Sequence, residues 1–255
     1  MLKFISSIFI SLTVLLTVSV SAQTKLFVEY EVLSFSSTAK AMLIADKTSS
    51  VYEEGLTSQS NAVESGSNSF SIGGYFYTKI YQKKENPGMI YLETNTYSQN
   101  KKENDFILDS LPEMNWVISS VEKNIEIQGF KCREATLKFR GSTFVAYFTD
   151  EIPVSFGPWK FSGLPGLILK ISSRENPTIK WEATQITYPY ETKETIEFDK
   201  SKFTLSLVDA VQSNDKENDE KGRAFAAKRG SAYHPIPDNM RREMARERKY
   251  EWETW

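Results

Sequence analysis

Apolar and polar residues alternate along much of the chain between residues 25 and 208, and a period of two is the pattern of a half-buried β-strand. The first clear case is residues 26–32, where four apolar residues share one face while Glu29 and Glu31 lie on the other. The alternation predicts strands at residues 26–32, 39–45, 75–81, 89–93, 106–108, 116–119, 123–127, 130–140, 143–149, 167–171, 178–187, 194–198 and 203–208.

Turn residues between these segments indicate hairpins. Asn86-Pro87-Gly88 and Gly141-Ser142 each separate two predicted strands, and such residues favour tight turns. Residues 53–74 are rich in Ser, Asn and Gly, so we predict a long mobile loop there. Many short strands in series predict a mainly β fold, an antiparallel meander curled into a half-barrel or barrel-like sheet.

The pattern changes after residue 208. Residues 209–230 are charged and poor in apolar side chains, which indicates a flexible or partly helical connector. A C-terminal helix is predicted from Pro237-Asp238 through Arg248, most simply as a solvated helix, with contact to a membrane or partner as the alternative. Residues 250–255 alternate aromatic and polar like the last strand of an outer-membrane barrel, but the arginines before them do not suit a lipid-facing strand.

The first 22 residues have the features of a secretory signal peptide. Lys3 precedes a long apolar run, and Val20-Ser21-Ala22 supplies small residues for cleavage. An uncleaved membrane helix is the alternative, although the run is short for a span. Cleavage would leave a β domain at 23–208 and a charged connector and helix at 209–255. The sole cysteine, Cys132, is far from the cleavage site, so we expect no lipid anchor and a periplasmic or secreted protein.

Amino-acid composition and net charge bear on the class of protein and on its partners. The chain is 40% hydrophobic and 25% charged with a net charge of −2, which is ordinary for a soluble globular protein and does not favour nucleic acid as a partner. A lone cysteine forms no internal disulfide, so Cys132 is predicted to be a buried structural thiol, with a reactive or intermolecular thiol as the alternative.

Three prolines and three glycines alternate in residues 153–166, immediately before the apolar strand predicted at 167–171. Proline fixes φ, and glycine permits positive φ or close approach of another backbone. We therefore predict an ordered loop rather than a flexible one, either a binding rim or a structural loop that closes the end of a sheet. The residues that set its shape are Gly157, Pro158, Gly163, Pro165 and Gly166.

Residues 163–168 read Gly-Leu-Pro-Gly-Leu-Ile, which matches the hexapeptide that names the GLPGLI family of exported Gram-negative envelope proteins. The segments 129–135, 139–141, 146–149, 151–154 and 157–161 also resemble that family, so the resemblance covers about residues 116–171. It implies an exported protein of uncharacterised biochemical role that works alongside TonB-dependent outer-membrane receptors. It implies no catalytic residues.

Few arrangements for catalysis are available. His234 is the sole histidine, so a multi-histidine metal site cannot form, and we expect neither metal nor cofactor. The adjacent carboxylates Asp150 and Glu151 are the best placed acidic pair for a hydrolase. Neighbouring residues on a strand point to opposite faces, however, so both cannot face one cleft if the strand continues. An enzyme is therefore the least favoured interpretation.

A binding or accessory protein of the envelope is the favoured interpretation, with an outer-membrane receptor or other envelope protein as partner, or an apolar or peptide ligand. Aromatic side chains line either a ligand cup or a closed core, and the pattern does not separate the two. The alternative is an interaction protein that docks a partner through residues 156–164. The candidate binding residues are Trp159, Phe161, Leu164, Trp116, Trp181 and Tyr147.

Overall fold

A computed structural model describes residues 24–34, 37–57, 75–96, 103–121, 123–193, 195–243 and 245–254. The predicted signal peptide, residues 1–22, lies outside the described residues. The strands are β1 Lys25–Ser34, β2 Ser37–Ala45, β3 Ser49–Thr57, β4 Tyr75–Lys83, β5 Met89–Thr94, β6 Asp105–Ser110, β7 Val117–Ile118, β8 Ile125–Ile127, β9 Phe130–Phe139, β10 Ser142–Thr149, β11 Leu167–Ser173, β12 Lys180–Tyr190 and β13 Leu205–Ser206. The helices are α1 Leu207–Lys228 and α2 Asp238–Arg241, preceded by a 3-10 turn at Lys200–Lys202.

The described strands form one sheet in the order β13-β6-β5-β4-β3-β2-β1-β12-β11-β10-β9-β7, with β8 also paired to β9. Neighbouring strands are antiparallel except β13, which runs parallel to β6. The two predicted hairpins are confirmed: β4 pairs with β5 across Asn86-Pro87-Gly88, and Phe139 pairs with Ser142. The prediction of a mainly β, curled antiparallel sheet is confirmed.

The sheet is open but strongly curled. Eight strands separate β6 from β9 in the strand order, yet Arg140, at the end of β9, is 2.7 Å from Asp109 of β6. Strands of a flat sheet lie about 4.8 Å apart, so these two residues would otherwise be far from each other. Curling therefore brings the two ends of the sheet together around an interior.

The two faces of the sheet differ as the alternation predicts. Leu26, Val28, Tyr30 and Val32 of β1 are fully buried on the inner face. The outer face is covered in part by residues 191–203, which cross β4–β6: Phe198 stacks on Tyr81 with ring centroids 4.4 Å apart. The inner face is covered by loops and by the end of the chain, and these determine what the interior contains.

Four predicted boundaries are wrong. Residues 53–57, predicted as loop, belong to β3, whose inner face carries Tyr52 and Glu54; residues 58–74 of that predicted loop lie outside the described part. Residues 195–198, predicted as strand, are irregular, and Leu207–Val208 begin a helix. Of the two alternatives for residues 209–230, a flexible or a partly helical connector, the helical one is confirmed, because these residues lie largely in the 22-residue helix α1. The predicted helix from Pro237 to Arg248 is the four-residue α2 followed by irregular chain.

Helix α1 buries few residues, namely Leu207, Ala210, Val211 and Ala226. The chain after it turns back and is tied to the helix by charge: Arg241 pairs with Asp219 at 2.9 Å, and Arg242 pairs with Asp215. These contacts return the chain to the sheet. Neither described helix has the length and apolar composition of a membrane span.

Candidate functional site

The glycine–proline loop, which we define as residues 150–166, folds onto the inner face of the sheet. Glycine is required at position 166 because the backbone lies against the carbonyl group of Thr149. A Cβ added to Gly166 would be 1.9 Å from that carbonyl oxygen. Gly163 adopts a φ of +94°, a conformation that strongly favours glycine. A Cβ at Gly157 would meet Ile168 at 2.8 Å. The loop is ordered, as predicted, with Pro158 buried and Pro165 exposed.

The aromatic residues of the loop form the centre of the core. Trp159 stacks on Trp181 of β12 with centroids 5.6 Å apart, and Phe161 packs edge-on against Trp181 at 5.7 Å. Phe161 also contacts Phe144 at 4.8 Å. Exposure is 5% for Trp159 and 0% for Phe161 and Trp181. These rings fill the interior against one another.

The other candidate binding residues have different surroundings. Leu164 is buried in the same core. Trp116 is half-buried, donates a hydrogen bond from Nε1 to the Ser162 carbonyl at 2.8 Å, and meets Phe161 edge-on. Tyr147 is half-buried on the outer phase of β10, away from these rings, where burial and then the charge of Glu134 raise its pKa. The structure brings five of the six candidates together; ligand contact by any of them stays a prediction.

Charged side chains share the interior with these rings. Lys160 follows Trp159 in the loop, is 2% exposed, and contacts Asp109 and Glu247 at 2.7 Å each. Arg140 binds both oxygens of Asp109, at 2.7 and 2.9 Å, and also pairs with Glu247. Burial alone would raise the pKa of Asp109, but the charges of Lys160 and Arg140 outweigh it and hold that pKa below its usual value.

A second buried ion pair lies beside Trp181. Arg246 donates to both carboxylate oxygens of Glu54, at 3.0 and 2.6 Å, and its guanidinium lies 4.7 Å from the centre of the Trp181 ring. Tyr52 donates a hydrogen bond to the same carboxylate at 2.6 Å and accepts one from Trp181 Nε1 at 3.0 Å. Burial works against the charge of Glu54, and Arg246 outweighs it, so the pKa of Glu54 is lowered.

Arg246 and Glu247 belong to what we call the C-terminal segment, residues 245–253, which lies between the two ends of the sheet. The backbone amides of Arg248 and Lys249 both donate to the Arg140 carbonyl, at 2.8 and 3.0 Å. The sequence predicted a solvated helix through Arg248 and an alternating aromatic–polar stretch after it, and it did not predict the buried charges. The sequence contains one indication of these buried charges. Residues 237–252 have too few apolar side chains for a packed helix, yet they carry closely spaced charges of both signs.

An open groove lies on the outer face of the sheet. Its lining combines apolar side chains with polar groups to a similar extent, its volume is about 570 Å³, and residues 195–197 contribute to the lining. Lys79 and Glu53 form an ion pair within it. Burial would lower the pKa of Lys79, but its hydrogen bond to Glu53 outweighs burial and raises it. We call this the outer groove; its apolar residues are Phe27, Met42, Ile44, Val51, Tyr81 and Tyr190.

The residues considered as candidates for catalysis or metal binding lie outside both the interior of the sheet and the outer groove. Asp150 and Glu151 are exposed: Asp150 pairs with Arg133 at 2.9 Å, and Glu151 accepts from the Lys131 amide at 3.0 Å. Cys132 is buried, as predicted, and burial raises its pKa to about 11. His234 is exposed. Within the described ranges, no group of three or more His, Cys, Asp or Glu residues is arranged to hold a metal ion.

Residues 63–170 match a family model described as "Protein of unknown function (Porph_ging)". That range contains the whole glycine–proline loop and does not conflict with the resemblance to the GLPGLI family. The curated proteins provide no match to the chain.

Solved structures provide distant similarity. Two structures of PNGF-II, in space groups P21 and C2, match with 14% and 15% identity and TM-scores of 0.45 and 0.47. The matches cover 73% and 76% of this chain but 31% and 33% of those chains, so this chain spans about a third of their length. Similarity at this level does not bear on function.

Proposed function

We propose that the chain is an exported, non-enzymatic binding or accessory protein of the cell envelope that takes an apolar or peptide ligand in the outer groove. The observation that carries this proposal is the groove itself. Its volume of about 570 Å³ falls within the usual range for small-ligand sites, and its lining combines apolar side chains with polar ones. The Lys79–Glu53 pair supplies such polar groups.

Exposure favours the outer groove over the aromatic interior as the ligand site. Met42 is 43% exposed within the groove, whereas Trp159, Phe161 and Trp181 are 0–5% exposed and packed on one another. A ligand reaches the groove without displacing core side chains. In the glycine–proline loop, Gly163 and Pro165 are the exposed residues of the range 156–166, which gives little support to a partner docking through that loop.

The placement in the envelope rests on sequence. The features of residues 1–22 support export, and the resemblance over residues 116–171 supports a role beside an outer-membrane receptor. Both the receptor as a partner and the absence of enzymatic activity remain part of the proposal.

Native mass spectrometry of protein purified from periplasm without detergent, followed by organic extraction, tests the groove. We expect a bound apolar molecule or peptide of defined mass, and we expect Met42→Asp to abolish its retention because a carboxylate enters the apolar part of the lining. Val117→Asp is the matched control, since Val117 is 67% exposed and outside the groove. Protein that carries no ligand and does not enhance the fluorescence of anilinonaphthalene sulfonate would contradict the proposal.

A further inference from the structure

The C-terminal segment fills a cleft whose two ends differ in charge. We call it the inner cleft, formed by Tyr52, Glu54 and Trp181 at one end and by Asp109, Arg140 and Lys160 at the other. The first end has the geometry of a guanidinium site. Two hydrogen bonds from Arg246 reach the two oxygens of Glu54, and Trp181 lies below the guanidinium plane at 4.7 Å. Bidentate pairing together with an aromatic face discriminates arginine from lysine.

The Glu54 carboxylate is held in place by the sheet rather than by the segment. Tyr52 donates to it at 2.6 Å, and Trp181 in turn donates to Tyr52 at 3.0 Å. All three residues are 4% exposed or less. The arginine-binding end is therefore preorganised by strands β3 and β12.

The other end of the inner cleft is a carboxylate site. Glu247 accepts from Lys160 at 2.7 Å and pairs with Arg140. Asp109 contacts both cations independently of the segment. Two buried cations oriented by one carboxylate leave positive charge for a second buried carboxylate, which Glu247 supplies, and the more exposed Glu251 of the segment also accepts from Arg140 Nε at 3.1 Å.

The C-terminal segment combines properties of a bound peptide with one core contact, since Tyr250 is 5% exposed and belongs to the hydrophobic core. It forms neither helix nor strand in its described residues. It is preceded by an exposed stretch, residues 229–237, in which Tyr233 is half-buried, and then by α2 and Arg242, whose arginines pair with Asp219 and Asp215 of α1. Its fit is also imperfect, because the buried Nε of Arg248 has no hydrogen-bond partner within the described chain, and an unsatisfied buried donor is destabilising.

We propose that the inner cleft is a peptide-recognition site for an adjacent arginine–glutamate pair, and that the chain fills it in cis with its own C-terminal segment. The ligand in trans is a peptide segment of a partner protein with the same pair, the arginine at Glu54 and the glutamate between Arg140 and Lys160. A tethered segment acts at an effective concentration of about millimolar, so the site is closed to such a partner until the cis segment is released. This inference is independent of the outer groove.

The test uses the full chain with a protease recognition sequence inserted between His234 and Pro235, both exposed. After folding and cleavage, a fluorescein-labelled synthetic peptide of residues 235–255 is titrated against the cleaved protein by anisotropy. Near-UV circular dichroism of the packed tryptophans reports whether the sheet stays folded. Three variant peptides are compared: Arg246→Lys, Glu247→Gln and, as the matched control, Glu243→Gln, whose side chain is exposed.

We expect the labelled peptide to replace the cleaved fragment reversibly while the near-UV spectrum is retained. Glu247→Gln should weaken binding by at least about tenfold, since it leaves buried cations without their second carboxylate. Arg246→Lys should weaken it by about tenfold through loss of the bidentate contact, whereas Glu243→Gln should bind within about twofold of the native peptide. A fragment that is released only with loss of the near-UV spectrum, or binding equally tolerant of the changes at 243, 246 and 247, would overturn the proposal.

Discussion

Two segments far apart in sequence fill the interior of the same curled sheet, and different forces hold them there. The glycine–proline loop is held by packing and by short-range backbone bonds, such as Gly157 N to Phe161 O at 3.0 Å and Gly163 N to Ser155 O at 2.9 Å. The C-terminal segment is held chiefly by ion pairs with distant residues, Arg246 with Glu54 and Glu247 with Arg140 and Lys160, while Tyr250 of the segment packs in the core. The two segments meet at the Lys160–Glu247 contact.

The two segments therefore need different kinds of partner residues. Apolar packing requires neighbours of suitable shape, and the loop brings its own aromatics and its own close turns. A buried charge requires one particular partner, because an unpaired charge is strongly disfavoured in the interior. The position of the C-terminal segment therefore depends on partner residues as distant in sequence as Glu54.

The largest effect should come from the shape of the loop. Gly166→Ala places a Cβ 1.9 Å from the Thr149 carbonyl oxygen, a backbone atom that cannot rotate away. We expect the free energy of unfolding, measured by urea denaturation, to fall by about 4 kcal/mol or more. Gly88→Ala is the control, since its nearest atom is 3.9 Å away. Equal stabilities for the two variants would show that the loop is not held by close backbone approach.

Removing charge from the C-terminal segment should have the next largest effect. Glu247→Gln leaves Lys160 and Arg140, both less than 5% exposed, with one carboxylate fewer. We expect a loss of about 3 kcal/mol in the free energy of unfolding, because breaking a buried ion pair leaves an uncompensated charge. Glu243→Gln removes the same charge from an exposed position and should be nearly neutral. A Glu247→Gln variant as stable as this control would contradict the ionic account.

Acidification should act on the ionic part of the interior more than on the packed part. The pKa values of Asp109 and Glu54 are lowered in the folded chain. A carboxylate with a lowered folded pKa stabilises the fold above its unfolded pKa, about 4, and loses that contribution as the pH falls through the folded value. We expect the stability to decline below about pH 4 and the decline to be shallower in Asp109→Asn. Urea unfolding between pH 7 and pH 2.5 measures both, and identical slopes would refute the assignment.

The smallest effect is expected at the foot of the loop. Asp150 and Arg133 form an ion pair in which both side chains are about half exposed. Such pairs contribute about 0–1 kcal/mol because solvent and salt screen them. Asp150→Asn should therefore leave the urea midpoint almost unchanged. A large loss would mean that charge, and not packing, anchors the loop as well.

Much of the sheet was predictable because its inner face is apolar at every second residue, as in β1. Strand β3 was missed as a whole because polar Ser50 and Glu54 take inner positions in it and Gly55 follows, so apolar residues do not alternate there. Helix α1 was predicted only as a flexible or partly helical connector, because its sequence is charged and poor in apolar residues. The chain after α1 is held against the helix by ion pairs with Asp215 and Asp219, and no local sequence pattern predicts these pairs.

The two candidate sites were predictable to different degrees. The aromatic residues Trp159, Phe161 and Trp181 were identified from sequence, and the structure brings them together, although as a packed core. The outer groove was not identified, because its lining comes from five strands, β1–β4 and β12, and from residues 195–197, which were predicted to lie in a strand. The inner cleft was missed because its opposite charges, 31 to 192 residues apart, give no periodic signal.

Native-state hydrogen exchange tests the central claim most directly, namely that the C-terminal segment lies inside the sheet and is held there by charge. The amides of Arg248 and Lys249 bond to the Arg140 carbonyl, and the amide of Gly157 bonds within the loop. We expect all three to be protected in the native chain. In Glu247→Gln, Arg248 and Lys249 should lose protection while Gly157 keeps it. If Arg248 and Lys249 exchange as fast as the exposed stretch at residues 229–237 in the native chain, the segment is not bound in the interior and the account fails.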